Sequence, residues 1–239
     1  MFDSEVRAII TKLQTITLKP SDELNAIFGT LVGMAIAPEN DTLFESSTLA
    51  QEEVQSLRDI CSKGEFELEL HWARQIIASQ YPSVSLMQFP YYENYRKLAA
   101  MEIMSLKGLS GVYPKRMLVI GGGPLPLSGL IAFEEYGVAT DFIDNNEDAV
   151  NTANELIKAL KHNGEAVVAD AFTFDGYGNY DVILVAALVG ADAKQKKRLL
   201  QHIAKQLSGA TAVVVRSADG ARQLLYPGFT AEMLPGSFE

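Results

Sequence analysis

The stretch that decides the fold is RMLVIGGGPLPLSGLIAFEEYGVATDFID, residues 116–144. Residues 116–120 form a short apolar run, which predicts a buried strand, and the glycines and prolines directly after it end that strand. Residues 128–136 then have the apolar spacing of a helix, and residues 139–143 form a second strand-like run. A strand, a helix and a second strand in this order predict two parallel strands joined by a crossover helix.

The same alternation continues toward the end of the chain. Further strands are predicted at 166–169, 181–186 and 211–215, with helices at 147–161 and 192–207. Alternating strands and helices indicate an α/β domain with a parallel, Rossmann-like sheet. Such domains usually continue with another helix and an antiparallel hairpin, so either the sheet is short or the C-terminal end of the chain is trimmed.

The first half of the chain has a different pattern and contains only predicted helices. Apolar residues recur at helical spacing from the start, at Val6, Ile9, Ile10 and Leu13. Two later helices are predicted, one after a cap at Ser47 with an apolar stripe up to Ile60, and one over residues 65–79. We therefore predict an all-helical N-terminal domain, residues 1–110, followed by the Rossmann-like domain, residues 111–239.

Composition excludes several classes of function. The formal net charge is −10 and the pI is about 4.8, which disfavours a nucleic-acid partner because like charges repel the phosphate backbone. No apolar stretch reaches the ~18 residues of a membrane span, and the N-terminus does not resemble a signal peptide. The single cysteine, Cys61, cannot form an internal disulfide or by itself a metal site. We expect a cytoplasmic protein without a metal.

Acidic and glycine residues follow three consecutive predicted strands. Residues 121–123 follow the first strand, Asp144 and Asn145 end the second, and Asp170 with Ala171 follows the third. The carboxyl ends of parallel strands form the ligand-binding edge of such a sheet. A carboxylate at Asp144 can accept hydrogen bonds from both ribose hydroxyls of an adenosine. One at Asp170 can accept from the adenine amino group, so the pattern predicts an adenosine-containing ligand.

The loop after the first strand distinguishes between two such ligands. It reads Gly121, Gly122, Gly123, Pro124, Leu125, Pro126. A dinucleotide site usually needs backbone N–H groups for the pyrophosphate, and proline has none. The two prolines therefore favour S-adenosylmethionine (SAM), which has no phosphate, over NAD.

The same loop resembles a known family. GGGPLPLS, residues 121–128, is similar to the G-S-G-P-x-P-L-T loop of the nicotianamine synthases. The resemblance extends over FPYYENYRKL (89–98), YDVILVAALVGAD (180–192) and VVVRSADGARQLLYP (213–227). It is weaker over ICSKGEFELELHW (60–72). It thus covers about residues 57–227, in both predicted domains.

The resemblance implies a particular reaction. These enzymes transfer the 3-amino-3-carboxypropyl group of SAM to an amine and release methylthioadenosine. The size of the chain favours the bacterial kind, in which one group is transferred to histidine on the way to an opine metallophore of the staphylopine or pseudopaline type. The alternatives are a nicotianamine synthase that condenses several groups, an ordinary SAM methyltransferase, and a SAM-binding module without catalysis. We expect a small amino acid as partner substrate and allow for a homodimer.

The resemblance also assigns catalytic residues in the helical half. Glu65 and Glu69 are four residues apart and share a helix face, where the alternative is a solvated acidic stripe. The family's catalytic glutamate falls on one of them, and we place it at Glu65 ahead of Glu69. The family pattern puts Tyr91 and Tyr95 over the reacting amine, with Tyr91 as the proton relay. The alternative for both tyrosines is packing in the core.

Three further residues are predicted to hold the substrate. Arg216 ends the last strand and is a candidate to clamp a carboxylate bidentately, with a structural salt bridge as the alternative. Asn94 is a candidate for the carboxylate or amine of the substrate, and His71 for a further substrate contact. Small residues after the fourth strand are expected to line the SAM pocket, although ordinary sheet packing also suits them: Ala186, Ala187 and Leu188.

Overall fold

The structure, a computed structural model, describes residues 1–207, 211–236 and 238. Up to residue 110 its regular elements are helices: α1 (Phe2–Thr15), α2 (Asp22–Ile36), α3 (Glu39–Glu45), α4 (Gln51–Ala78), α5 (Pro82–Leu86) and α6 (Tyr92–Ser110). None of the helices in these described ranges is both long enough and apolar enough to cross a membrane.

The second half alternates strands and helices, as the sequence predicts. Its elements are β1 (Arg116–Ile120), α7 (Leu127–Tyr136), β2 (Ala139–Asp144), α8 (Glu147–Ala159), β3 (Ala166–Val168), β4 (Val182–Val185), α9 (Ala193–Ala204) and β5 (Ala212–Val215). The strand order is β3-β2-β1-β4-β5, and every neighbouring pair is parallel. The predicted α/β class with a Rossmann-like sheet is therefore confirmed.

The topology fixes where a ligand can bind. The chain proceeds outward from β1 through β2 to β3, and then returns to the other side of β1 as β4. In register, Ile120 of β1 lies between Ile143 of β2 and Val185 of β4, so these strands end at the same level. The reversal leaves a crevice at the carboxyl ends of β1 and β4, which is the usual ligand site of open parallel sheets.

Polar side chains cap the N-termini of three helices, α2 in the helical half and α8 and α9 in the second half. Ser21 Oγ accepts from the N–H of Leu24 at 3.2 Å at the start of α2. Asn146 Oδ1 caps α8 and Asp192 Oδ1 caps α9, at 3.1 Å and 2.7 Å from their donors. Each cap satisfies a backbone donor that has no partner within its helix, which fixes where the helix begins.

One prediction for the helical half is wrong. The residues predicted to form two helices, with a cap at Ser47, form the single helix α4, which begins at Gln51. Gly64 lies in its interior, where Phe28 of α2 packs against it. A Cβ at residue 64 would lie 2.5 Å from Cζ of Phe28, so glycine admits the phenylalanine ring. The continuous helix carries Glu65 and Glu69 toward the sheet.

The two halves of the chain share their hydrophobic cores. Ala73 of α4 and Ile103 of α6 belong to the same buried cluster as Met117 of β1. The segment after β5 turns back to the N-terminal helices through a 3₁₀ helix, Gly220–Leu224. There the N–H of Ala221 donates to Asp41 Oδ1 at 2.8 Å. Both connections hold the helices over the carboxyl edge of the sheet.

Candidate active site

A cavity of about 2150 Å³ lies between the helices and the carboxyl ends of the strands. Its wall contains every residue that the sequence predicts for catalysis, from Glu65 to Tyr95, and for the substrate, including Arg216. It also contains the whole predicted SAM site: Gly121, Gly122, Gly123, Pro124, Leu125, Pro126, Asp144, Asn145, Asp170, Ala171, Ala186, Ala187 and Leu188. Pockets for a single small ligand usually measure roughly 300–1,000 Å³, so this cavity has room for more than one substrate.

The glycine loop brings its backbone close to both walls of the cavity. Gly121 and Gly123 have φ angles of +76° and +66°, in the left-handed region that favours glycine. A Cβ at residue 121 would lie 2.5 Å from Val189 Cγ2 on the sheet side. A Cβ at residue 123 would lie 2.5 Å from Glu69 Oε2 on the helical side. The loop therefore needs glycine for its conformation and for its neighbours.

Asp144 is held by the backbone around it. Its Oδ2 accepts from the N–H of Gly123 at 3.0 Å, and its Oδ1 accepts from the N–H of Asn146 at 2.9 Å. Asp170 is fixed in the same way, because its Oδ1 accepts from the N–H of Phe172 at 2.9 Å. A carboxylate oxygen can accept more than one hydrogen bond, so both side chains retain acceptor capacity for a ligand.

Glu69 is the carboxylate of the helical half that meets this loop. Burial raises its pKa well above the usual value, and the negative charges of Glu65 and Asp144 raise it further. A backbone hydrogen bond from Leu125 acts in the opposite direction. A carboxylate whose pKa is raised toward neutrality is suited to accept a proton at physiological pH.

Glu65 lies on the same face of α4 but has a protein partner. Its Oε1 accepts a hydrogen bond from the hydroxyl of Tyr226, and burial raises its pKa above the usual value. Tyr226 was not singled out from the sequence, although it stands in the segment 213–227 that resembles the family. Glu69, rather than Glu65, meets the glycine loop of the predicted SAM site at Gly123, so the geometry favours Glu69 as the group that accepts a substrate proton.

The two candidate tyrosines differ in their surroundings. Tyr95 is half-buried, and burial followed by the charges of Glu69 and Glu65 raises the pKa of its hydroxyl. Tyr91 is 41% exposed, and its ring packs edge-on against Phe89 with 5.8 Å between centroids. The geometry therefore places Tyr95, rather than the preferred Tyr91, beside the carboxylates.

Two predicted substrate residues lie on exposed parts of the cavity wall. Asn94 precedes Tyr95 on α6, and its side chain has no hydrogen-bond partner in the described part of the chain. His71 is exposed on α4, with its Nε2 3.0 Å from Nε2 of Gln75. Both are accessible to a molecule that enters the cavity.

Arg216 has protein partners on an edge of its guanidinium that could also bind a carboxylate. Its Nε and Nη2 donate to the two carboxylate oxygens of Glu102 at 2.8 Å and 3.1 Å, and Nη2 also donates to Ser128 at 2.8 Å. Glu102 is only 8% exposed. The bidentate face of the guanidinium is thus occupied by a protein carboxylate. This arrangement favours the alternative, a buried structural ion pair, over the predicted clamp on a substrate carboxylate.

A second residue near the cavity was also missed from the sequence. Lys196 on α9 is 1% exposed, and its Nζ donates to the carbonyl of Ala187 at 2.8 Å. It was missed because it stands in the run AKQKKR, residues 193–198, which is typical of a solvated basic helix face. Its apolar neighbours along the helix, Leu199 and Leu200, were the available signal that one side of this run is buried.

Within the ranges that the structure describes, no group of three or more His, Cys, Asp and Glu side chains is placed to hold a metal ion. Cys61 is buried, and burial together with the charge of Glu65 raises the pKa of its thiol to about 12. Such a thiol is almost entirely protonated at neutral pH and is therefore a poor nucleophile.

Comparisons with known proteins agree with this geometry. The family described as "Nicotianamine synthase protein" matches residues 4–239. Nicotianamine synthase 9 of Hordeum vulgare is 36% identical over 234 residues, which is 93% of this chain and 68% of the relative. Nicotianamine synthase 2 of Oryza sativa subsp. japonica is 34% identical, over 93% of this chain and 70% of the relative.

Solved structures show the same fold. The crystal structure of MtNAS in complex with MTA and tNA superposes with a TM-score of 0.83 and 20% identity, covering 99% of this chain and 90% of that one. A mutant of MtNAS in complex with S-adenosylmethionine gives a TM-score of 0.81 and 21% identity, with the same coverage. Together with the sequence matches over more than nine-tenths of its length, these findings show that the chain belongs to the nicotianamine synthase family.

Proposed function

We propose that this protein is a SAM-dependent 3-amino-3-carboxypropyl transferase that condenses several SAM-derived groups, as a nicotianamine synthase. SAM is the co-substrate, and methylthioadenosine is the by-product. The proposal combines the family membership of the chain with the chemistry available in its cavity. In this proposal the acceptor is the growing product itself, and not histidine as the sequence analysis expects.

The observation that carries the proposal is the size of the cavity together with its proton acceptor. A volume of about 2150 Å³ is roughly twice that of a large single-ligand pocket. A donor SAM and a product of several linked groups need such a space at the same time. Glu69 stands on its wall at the glycine loop, which is where the donor is expected to bind.

The reaction requires three things from the protein. The acceptor amine must lose a proton, since an ammonium has no lone pair to attack with. That lone pair forms a bond to the γ-carbon of SAM, and the electrons of the breaking C–S bond stay on sulfur, giving neutral methylthioadenosine. The amine proton passes to Glu69, whose raised pKa suits it to hold a proton, with Tyr95 beside it to orient the amine.

The adenosine end is held by the sheet. Asp144 retains acceptor capacity for the ribose hydroxyls, and Asp170 for the adenine amino group. The loop Gly121–Gly123 lets the backbone approach the ligand closely. Transfer also requires that the γ-carbon of SAM, rather than its methyl group, faces the acceptor, which is a problem of positioning.

The two other reactions considered for this site have less support. Transfer of one group to histidine rests on the resemblance to the bacterial members of the family. The relatives described above are nicotianamine synthases rather than histidine-specific enzymes. Methyl transfer would use the same SAM site, but the relatives described above are nicotianamine synthases and not methyltransferases.

The product mixture tests the proposal. The purified protein is incubated with SAM alone and with SAM plus single amino acids, including glutamate and both enantiomers of histidine, and products are identified by mass spectrometry. We expect methylthioadenosine in every active mixture and a product that carries two or more aminocarboxypropyl groups. A product with one group on histidine would support the single-transfer enzyme instead. S-adenosylhomocysteine with a methylated product would overturn both.

A further inference from the structure

A buried lysine lies directly behind the wall of the cavity. Lys196 belongs to the first turn of α9 and is 1% exposed. A positive charge is unfavourable at the N-terminal end of a helix, and an ammonium is unfavourable in the interior unless it is paired. Within the described ranges no carboxylate forms a salt bridge with it. Both the helix dipole and burial therefore oppose a charged lysine at this position.

The partners of this ammonium are backbone carbonyls of the cavity wall. Nζ donates to the oxygen of Ala187 at 2.8 Å and lies 3.4 Å from the oxygen of Ala186. These residues follow β4 directly and line the cavity. The oxygen of Ala186 also accepts from the N–H of Val189 at 3.1 Å, so the lysine reinforces a turn over residues 186–189.

The carbonyl contacts determine where the neighbouring N–H groups point. In a trans peptide the N–H points away from the C=O of the same unit, and the chain contains no cis peptide in its described part. With the oxygens of Ala186 and Ala187 turned toward Lys196, the N–H groups of Ala187 and Leu188 point to the opposite side. Neither of them donates to another described residue.

The chain around the lysine is shaped to keep it in place. Gly190 has a φ angle of +79°, and a Cβ there would lie 3.1 Å from both Cγ and the backbone nitrogen of Lys196. The turn therefore packs closely on Lys196, and its φ angle favours glycine at residue 190. Because Lys196 contacts this turn closely, movement of its ammonium would displace the turn.

We propose that Lys196 is a positioning residue for co-substrate binding. Its ammonium holds the turn after β4 so that the N–H groups of Ala187 and Leu188 face the cavity as donors to acceptor atoms of SAM. The identity of the ligand rests on the proposed function, whereas the role of the lysine rests on the contacts described above. Burial lowers the pKa of Lys196 to about 8, which leaves it mainly charged at neutral pH.

Substitution of the lysine tests the proposal in the full-length protein. Lys196→Met keeps the length and apolar stem but removes the donor, and Lys196→Arg restores a cationic donor. Lys197→Met, on the exposed side of the same helix, is the matched control. Circular dichroism establishes that each variant is folded. The affinity for SAM is measured by calorimetry, and KM and kcat are measured separately.

We expect Lys196→Met to weaken SAM binding and raise KM roughly tenfold, because it removes charge-assisted hydrogen bonds that fix the turn, with a much smaller effect on kcat. Lys196→Arg should recover part of this affinity, and Lys197→Met should match wild type. Wild-type affinity in Lys196→Met, or equal losses in both methionine variants, would overturn the proposal.

A second readout separates this inference from the proposed function. Hydrogen exchange of the Val189 amide reports on the turn without any ligand. Lys196→Met should accelerate it, and an unchanged rate would overturn the role of the lysine. If wild-type protein failed to bind SAM while this exchange still responded to the substitution, the proposed function would be wrong, and only the stabilisation of the turn by the lysine would stand.

Discussion

The Oε2 atom of Glu69 occupies the space where a side chain of residue 123 would begin. A Cβ on Gly123 would lie 2.5 Å from this oxygen. A carboxylate of the helical half thus meets the loop that follows the first strand of the sheet. The contact joins the predicted proton acceptor to the predicted SAM site, and it depends on glycine at this position.

Gly123→Ala should therefore abolish most of the activity and destabilise the protein. The added methyl group collides with Glu69, and the φ angle of +66° adds strain of about 1–3 kcal/mol for a residue with a side chain. Urea unfolding and initial rates measure the two effects. Gly108→Ala is the control, because a Cβ there meets nothing within 4 Å and alanine favours a helix. Equal behaviour of the two variants would contradict the contact.

Glu69→Gln should lower kcat by about 10²–10⁴-fold, the usual contribution of a general base, while SAM binding is retained. The amide keeps the shape of the side chain but cannot take the amine proton. Asp59→Asn, on the exposed part of the same helix, should leave kcat unchanged. If Glu65→Gln were the more damaging substitution, the original preference for Glu65 as the base would be restored.

The raised pKa of Glu69 also predicts a pH-dependent stability difference. In the unfolded chain the pKa returns to its usual value of 4.5, so between that value and the folded pKa the folded state binds more protons. Stability that depends on this group must then fall as pH rises through this window. Glutamine does not titrate, so the melting temperature of Glu69→Gln relative to wild type should be higher at pH 8 than at pH 4. An offset that is the same at both pH values would contradict the raised pKa.

The same shift predicts the acid limb of the activity profile. Glu69 must be deprotonated to accept a proton, so kcat/KM should fall as pH decreases through its folded pKa. Because that pKa is raised, the fall should begin well above pH 4.5. A profile that is flat down to pH 5 would exclude Glu69 as the base.

The pairing of Arg216 with Glu102 predicts a structural rather than a substrate-binding role. Arg216→Met leaves a buried carboxylate without its partner, which should destabilise the protein by about 3–5 kcal/mol in urea unfolding. Arg96 is exposed and pairs with Glu93 and Glu135. Arg96→Met breaks these surface pairs and should lower the free energy of unfolding by less than about 1 kcal/mol. The double variant Arg216→Met, Glu102→Leu should recover much of the loss. Similar losses in both single variants would contradict the buried pair.

Features that depend on local patterns were predictable from the sequence. The strands follow from apolar runs, and the site edge follows from the position of Asp144 at the end of its strand. The resemblance added the acids of α4 and the tyrosines of α6, and all of these lie on one cavity.

What was missed depends on contacts between distant segments. The close approach of Phe28 to Gly64, which joins α2 to the single helix α4, cannot be read from the spacing of either segment. The pairing of Arg216 with Glu102 spans residues that no local spacing connects. The burial of Lys196 depends on how α9 packs on the sheet. The charged residues next to Lys196 in the sequence instead indicate a solvent-exposed helix face.

The fate of the two carbon groups of SAM tests the central claim most directly. SAM labelled in the methyl group and SAM labelled in the aminocarboxypropyl chain are supplied separately to the purified protein, and the label is located by mass spectrometry. The account predicts that the methyl label stays in methylthioadenosine and that the aminocarboxypropyl label appears more than once in each product molecule. A methyl label in the product, together with S-adenosylhomocysteine, would contradict it.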